Sequence, residues 1–429
     1  MTNTTNKSDI MTCPIHEVDT FDAGFLQDPY PFYARTREEA PVYRHPDSGI
    51  VFISTYNLIR YVVSKPRLYS NKFAERMQPD RSSNMLEEEK EIMARGWIVA
   101  DTMLTADPPE HTRYRKLAMK AFTYRRVSQM TEYVEDLVHD LIDAMPEDGC
   151  EFKASFANKL PMYVISDALG VPRSQFSKFE SWSNAFVALL SGLADDETRI
   201  WAAKNILEFQ QYFVEVIEQK RTHPTDDVIS DLVHADLASE GDPRKMTYEE
   251  LLSILQQLLV AGNETTAHTL TAGVKFLLEH PAQLARLKAD ASLAENTVEE
   301  VLRYLSPTNN MWRVATGDDE IAGVKIKSGD LILLRYGSGN RDEAHFSDAD
   351  KFDIDRQNAK EHLAFGAGIH TCIGAQLARK EMITAFPIIF DRLENLALDS
   401  SKGDLVYIPS VLLRGVMNLN VTYIKRPKS

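Results

Sequence analysis

The sequence FGAGIHTCIG, residues 365–374, places one cysteine in a glycine-rich stretch directly before a predicted helix, residues 375–391. A thiolate at Cys372 would lie near the amide donors of the helix start, which favour negative charge on sulfur and leave it able to bind iron. The flanking glycines have no Cβ, so the backbone can turn sharply and approach a large planar ligand closely. A lone cysteine without this pattern is more often a small buried hydrophobe. Cys372 is therefore the first candidate functional residue.

This stretch resembles the haem-binding loop of the cytochrome P450 family, F-G-x-G-x-[HR]-x-C-x-G, and every fixed position is filled. The resemblance implies that Cys372 is the axial thiolate ligand of a haem iron and pushes electron density toward bound oxygen. It also implies that Phe365, Gly366 and Gly374 lie against haem b. Matching segments extend over nearly the whole chain. The expected fold is mainly α, a cytochrome P450 fold with a large helical domain and small β-sheets.

Length, composition and charge are compatible with this class. The 429 residues contain no Pro/Gly/Ser-rich linker or charge block, so we expect a flexible segment, residues 1–20, and one haem domain, residues 21–429. Three cysteines, an odd number, fit a reducing compartment and a cytoplasmic location. The first twenty residues lack a long apolar run, which argues against a membrane anchor. A formal net charge of −15 argues against a nucleic-acid partner.

Local patterns predict mostly helices with a few short strands. Residues 42–44 and 50–53 flank His-Pro-Asp-Ser-Gly and are typical of a hairpin. A second β region is predicted at residues 324–326 and 331–334, with Ser-Gly-Asp between them as the turn. Amphipathic stretches predict helices at residues 129–144, 199–221, 247–278 and 294–305.

The long predicted helix contains the sequence VAGNETT, residues 260–266. An acid followed by two threonines in an apolar helix is costly unless the polar groups are used, since hydroxyls compete for the backbone hydrogen bonds. The segment resembles the oxygen-binding motif [AG]-G-x-[DE]-T-T of the family. The resemblance implies that Thr265 hydrogen-bonds oxygen or an ordered water, and that Glu264 connects the site to bulk protons. Ala261 would lie over the haem. The alternative is a helix kink with a solvent-facing Glu264.

Glu300 and Arg303 lie three residues apart on one predicted helix face, a spacing that alone indicates only a weak ion pair. They occupy the position of the E-x-x-R pair of the family, about seventy residues before Cys372. The resemblance makes the pair structural, tied to residues 340–342 in the segment that supports the cysteine loop. We expect its loss to prevent haem incorporation.

Haem propionates are anions that need cationic or strong donor partners when buried. At family-matching positions stand His111 and Arg115, spaced one helix turn apart, with Arg313 after Pro307 and His370 two residues before the cysteine. The resemblance implies that these four side chains bind the propionates.

The substrate pocket is predicted from helix spacing and resemblance. Stepping back by helix turns from Thr265 reaches Ala261 and Gln257. Gln257 suggests a substrate with a polar group, or instead a bond to a neighbouring loop. The resemblance adds further wall candidates, for several of which core packing is at least as good an interpretation: Trp97, Ile98, Val99, Phe186, Leu190, Asn309, Asn310 and Val411.

The expected function is a haem-thiolate monooxygenase that inserts one oxygen atom from O2 into an apolar small molecule by hydroxylation, epoxidation or O-demethylation. A peroxide-dependent peroxygenase is the first alternative, and the Glu264-Thr265 pair argues against it. A cysteine-nucleophile hydrolase would need a partnered base, for which His370 is not obviously placed. A noncatalytic haem sensor would not need the proton-relay residues. A zinc site lacks the paired ligand spacing near Cys372.

No flavin domain follows the cysteine loop, so electrons are expected from an iron–sulfur ferredoxin and its NAD(P)H-dependent reductase. A basic cluster stands out in this acidic chain and would steer an acidic partner. Its members are Arg113, Lys116, Lys120, Arg125, Arg126, Arg379 and Lys380.

Overall fold

The computed structural model describes residues 14–73, 76, 85–119, 124–190, 194–237 and 244–428, with the side chains of 124, 125 and 190 left out. The α-helices are α1 Tyr30–Glu39, α2 Tyr56–Val63, α3 Glu87–Met93, α4 Glu110–Met119, α5 Tyr124–Gln129, α6 Thr131–Asp143, α7 Lys159–Leu169, α8 Phe176–Leu190, α9 Asp196–Thr222, α10 Val228–His234, α11 Tyr248–Glu279, α12 Pro281–Ala289, α13 Ala294–Leu305, α14 Tyr336–Gly339 and α15 Ala375–Arg392. The strands are β1 Val42–Arg44, β2 Val51–Ile53, β3 Tyr69–Ser70, β4 Gly149–Glu151, β5 Met311–Ala315, β6 Asp319–Ile321, β7 Val324–Ile326, β8 Leu331–Leu334, β9 Leu393–Leu398 and β10 Asn420–Lys425.

The chain divides into two compact units. The first contains the residues up to Phe73, Thr131–Lys159 and Thr265–Ser429, and the second contains Ala74–Met130 and Leu160–Glu264. The prediction of one domain over residues 21–429 stays a prediction. Of the predicted flexible segment, residues 1–13 lie outside the described residues, whereas Val18 is buried in the first unit with Phe25 and Phe32.

The largest sheet of the first unit has the strand order β1-β2-β8-β5-β3. The predicted hairpin is confirmed, with Val42 opposite Ile53 in antiparallel register. Both strands of the second predicted β region exist, but they do not pair with each other across the predicted turn. β7 pairs with β6 across Ala322 and Gly323, both at positive φ, and such a two-residue turn matches strand twist. The apolar β8 lies between β2 and β5, because a strand buried on both faces belongs in a sheet interior.

The helices of the first unit pack against this sheet and against each other. α15 packs on α6, α12 and α13. Gly273 of α11 shows how closely it approaches α15, because a Cβ there would lie 2.2 Å from the Phe386 ring. This close contact requires glycine.

One buried cation of this unit has no acidic partner within the described chain. Arg335 is 1% exposed, and its guanidinium lies over the rings of Phe32, Tyr33 and Phe52 at 4.3 to 5.3 Å. Its Nη2 has no hydrogen-bond partner among the described residues. Burial lowers the pKa of Arg335 to about 10, because the charged form loses hydration.

The second unit is built mainly around α8 and α9. Aromatic side chains of the two helices form its core, with the Trp182 ring 5.8 Å from that of Phe209. α9 also packs against α3 and α10. Among the described residues, no helix is both long enough and apolar enough to cross a bilayer.

Candidate functional site

The cysteine loop of the first unit connects a 3-10 turn, Gly368–His370, to α15. Cys372 is exposed, and its amide donates to the carbonyl of Phe365 at 2.8 Å. Gly366 and Gly368 have φ of +67° and +73°, values that residues with a Cβ rarely adopt. A Cβ at Gly368 would also lie 2.6 Å from the Val63 carbonyl. The backbone of the loop therefore needs both glycines, and Cys372 is accessible on it.

A buried ion cluster lies on α13 behind this loop. Glu300 and Arg303 are both 0% exposed and form a bidentate pair at 2.7 and 2.8 Å. Arg303 also donates to the carbonyls of Asn340, Ala349 and Lys351. The predicted tie between the pair and the 340–342 segment is thus present.

Arg356 is a third member of this cluster that the sequence analysis missed. Its Nε lies 3.1 Å from Glu300 Oε2, and its Nη atoms donate to the carbonyls of Ser347 and Asp348. Glu300 also accepts the amide of Asp353. The only signal in the sequence is an arginine four residues after Phe352, inside a polar segment, and it does not indicate a partner.

Asn340 links this cluster to the cysteine loop. Its carbonyl accepts from Arg303, and its side-chain amide donates to Ser306 Oγ at 2.8 Å. Its Oδ1 accepts from the amide of Leu363 at 2.7 Å, just before the loop begins. Hydrogen bonds of Asn340 therefore connect α13 to the start of the cysteine loop.

Arg313 of β5 suits a buried anion. It is 3% exposed, donates to the carbonyl of Trp312 at 2.7 Å, and pairs with no carboxylate within the described chain. A buried cation that lacks a carboxylate partner is stabilised by another anion, such as a propionate. His370, in the same unit, is half-buried in the 3-10 turn. The residues present therefore fit a haem group.

His111 and Arg115 lie on α4 of the second unit, on one face of the helix. His111 is 2% exposed, and burial, followed by the charge of Arg115, lowers the pKa of His111. The ring is therefore neutral at pH 7. Tyr114 of the same helix donates to Glu250, which anchors α4 to the start of α11. Hydrogen bonds from Arg244 and Tyr114 outweigh the effect of burial and hold the pKa of Glu250 at about 2.

The VAGNETT segment lies within α11, which is continuous from Tyr248 to Glu279. Ala261 is exposed, and Glu264 and Thr265 are half-buried. The Thr265 carbonyl accepts from the hydroxyl of Thr269 at 2.7 Å. The helix thus continues through both polar residues, and their catalytic roles stay predictions.

Gln257 bonds to a neighbouring loop, which is the alternative to a contact with a polar group of the substrate. Its Oε1 accepts from the amide of Leu104 at 3.2 Å. The same loop is held at Trp97, whose amide and carbonyl both bond to the side chain of Gln210. Ile98 and Val99 between these ties are exposed. The loop is fixed by its backbone while its apolar side chains are left accessible.

The remaining pocket candidates lie in packed surroundings. Phe186 is buried with its ring 5.2 Å from Phe209, and the side chain of Leu190 lies outside the described residues. Asn309 and Asn310 are buried and bond to the Tyr33 hydroxyl, and Asn310 also donates to the carbonyl of Val411. Their roles as substrate contacts stay predictions.

Two members of the basic cluster are already paired. Arg126 binds Asp226 and Asp231 at 2.7 and 2.6 Å. Arg379 binds Glu299 at 2.6 Å. Lys116 is exposed on α4. Lys120 and the side chain of Arg125 lie outside the described residues.

The mainly helical architecture with small sheets is the cytochrome P450 fold, as predicted. The sequence matches the family described as cytochrome P450 over residues 78–414. The chain belongs to the cytochrome P450 family, and its enzyme class is that of the cytochrome P450 monooxygenases.

Bacterial members of this family are similar over nearly their full length. The cytochrome P450 monooxygenase PikC of Streptomyces venezuelae is 37% identical, covering 96% of this chain and 94% of that protein. The 6-deoxyerythronolide B hydroxylase of Saccharopolyspora erythraea is 34% identical, covering 96% and 98%. The solved structure of CYP109Q5 from Chondromyces apiculatus has a TM-score of 0.83 at 32% identity, covering 97% and 100%.

Proposed function

We propose that the chain is a haem-thiolate monooxygenase that hydroxylates an apolar small organic molecule, with Cys372 as the iron ligand. The observation that carries the proposal is the exposed Cys372 on its glycine-dependent loop before α15. The hydroxylase among the relatives supports the type of reaction. When bound, haem b would supply the reduction and cleavage of dioxygen.

Four side chains are proposed to bind the propionates: Arg313, His370, His111 and Arg115. Arg313 has the strongest case, since it is buried without an acidic partner in the described chain. The apolar side chains proposed for the wall of the substrate pocket would exclude water and bind the substrate.

Proton delivery is proposed for Thr265 and Glu264 of α11. A hydroxyl can accept a proton from one neighbour and donate one to another, and a half-buried carboxylate can exchange protons with water. Glu264→Gln keeps the shape and removes the ionisable group that takes up and releases a proton. We expect substrate affinity to stay close to that of the wild type while turnover slows. Equal turnover in the two proteins would contradict the role.

An iron–sulfur ferredoxin with its NAD(P)H-dependent reductase is the proposed electron source. Arg113 and Lys116 of α4 are the cations proposed to steer this partner. Arg126 and Arg379 bind carboxylates, which offset part of their charge. The proposed location is the cytoplasm, which the bacterial relatives and the odd number of cysteines favour.

The test is the absorption spectrum of the purified protein. Wild type should bind haem, and its reduced carbon monoxide complex should show the red-shifted Soret band of thiolate ligation. Cys372→Ala and Cys372→His should lose this band and the monooxygenase activity. Cys150→Ala, at the half-buried cysteine of β4, is the matched control and should keep both. Wild-type turnover in either Cys372 variant would refute the proposal.

A further inference from the structure

One carboxylate in the first unit binds two side chains from different parts of the chain. Glu299 of α13 accepts from Arg379 Nε at 2.6 Å and Nη2 at 3.0 Å. Its Oε2 also lies 3.0 Å from His362 Nε2. Because His362 Nδ1 accepts the amide hydrogen of Ala364, the ring hydrogen is on Nε2 and is donated to Glu299. His362 and Arg379 therefore both donate to the Glu299 carboxylate.

These two donors lie on opposite sides of the cysteine in sequence. His362 precedes Cys372 by ten residues and Arg379 follows it by seven. The cysteine loop therefore lies in sequence between two residues, His362 and Arg379, that both contact Glu299. The carboxylate closes the loop at its base.

Phe365 connects this closure to the cysteine itself. The Arg379 guanidinium lies over the Phe365 ring at 4.6 Å, and the His362 ring is 5.6 Å from it. The carbonyl of Phe365 accepts the Cys372 amide at 2.8 Å. Anything that releases Arg379 or His362 therefore frees the residue that fixes the cysteine backbone.

The ionisation of Glu299 favours this closure near neutral pH. Burial would raise the pKa of Glu299, but the hydrogen bonds from His362 and Arg379 and the charge of Arg379 lower it to about 2. The carboxylate is therefore ionised near pH 7. His362 is 1% exposed at its side chain, so its donor has no access to water if the carboxylate is removed.

We propose that Glu299 is a positioning residue that keeps Cys372 in the geometry for thiolate ligation by holding His362 and Arg379 around Phe365. The proposal rests on the proposed function, since it takes Cys372 as the haem ligand. A displaced Cys372 would be a weaker ligand for the haem iron, and its sulfur would take up a proton more readily. Loss of the Glu299 carboxylate should first weaken the thiolate ligation by Cys372. A change in secondary structure should appear only later.

The experiment compares Glu299→Gln with Glu295→Gln, an exposed glutamate of the same helix. The readout is the rate at which the reduced carbon monoxide complex loses the thiolate-type band, with far-UV circular dichroism followed in parallel. Hydrogen bonds to charged groups are strong enough that we expect about a tenfold faster loss in Glu299→Gln, while circular dichroism is unchanged. Glu299→Asp, which keeps the charge, should restore part of the wild-type rate.

The outcomes separate this proposal from the proposed function. A wild type without a thiolate-type band defeats the proposed function, and the inference with it. A normal wild type with Glu299→Gln matching Glu295→Gln overturns the inference alone. If Glu299→Gln fails to fold, Arg379→Lys is compared with Lys380→Arg instead. Arg379→Lys loses the bidentate contact and the cover over Phe365, so equal rates in that pair also overturn the inference.

Discussion

Replacing Glu300 by glutamine tests the buried cluster behind the cysteine loop. Glu300 accepts from Arg303 twice, from Arg356 and from the Asp353 amide, at zero exposure. Glutamine keeps the shape but leaves two buried guanidinium groups without an anion. Breaking a buried ion pair from one side typically costs about 3–5 kcal/mol. This loss is a large share of a native stability of about 5–15 kcal/mol.

Arg356→Met provides the graded comparison. It removes one cation but leaves the bidentate Glu300–Arg303 pair intact, so we expect a smaller loss of about 1–3 kcal/mol. The double variant should lose less than the sum of the two single losses, because both changes remove the same contact. The free energy of unfolding is measured by urea titration, with Glu295→Gln as the control on the same helix. Haem content per protein is measured alongside and should fall in the same order.

A urea midpoint of Glu300→Gln equal to that of Glu295→Gln would refute the energetic reasoning. Strict additivity in the double variant would refute the shared contact. Full stability with loss of haem would show that Glu300 acts on the haem and not through the fold.

Other changes probe separate features of the chain. Arg335→Met should raise the free energy of unfolding by about 2 kcal/mol, because an unpaired buried cation is replaced by a side chain of similar volume; an unchanged or lower urea midpoint would contradict this. Thr265→Ala should bind substrate normally but release more hydrogen peroxide per NAD(P)H consumed, and unchanged coupling would contradict its proton role. Combined charge reversal of Arg113 and Lys116 should slow reduction by ferredoxin more at low salt than at high salt, with substrate affinity unchanged. A reduction rate insensitive to both would exclude this docking face.

The sequence predicts helices well where the apolar periodicity extends over several turns and residue signals mark the helix ends. The helix predicted at residues 294–305 has those bounds in the structure, and the one at 375–391 differs by one residue. Strand pairing is predicted less well, because β2 and β8 lie far apart in sequence and only packing selects their partnership. A local turn signal between β7 and β8 could not reveal that each strand has another neighbour.

The candidate site shows the same division between local and distant information. Cys372, Glu300 and Arg303 are carried by short motifs, and the structure shows contacts around them that fit those motifs. Arg356 and Glu299 were missed, since their contacts cross more than fifty residues of chain and no spacing rule links them. Gln257 was ambiguous for a related reason. Helix geometry gives the face of a side chain but not the loop that bonds to it.

The order of strands in the largest sheet has a consequence for synthesis of the protein. β2 and its parallel partner β8 are separated by about 280 residues of chain. Translation at about 5–20 residues per second would delay the arrival of β8 by roughly 15–55 s. During that interval the apolar edge of β2 has no native strand to pair with, and such edges associate with other chains. Heterologous expression should therefore respond to chaperone supply and to a lower growth temperature.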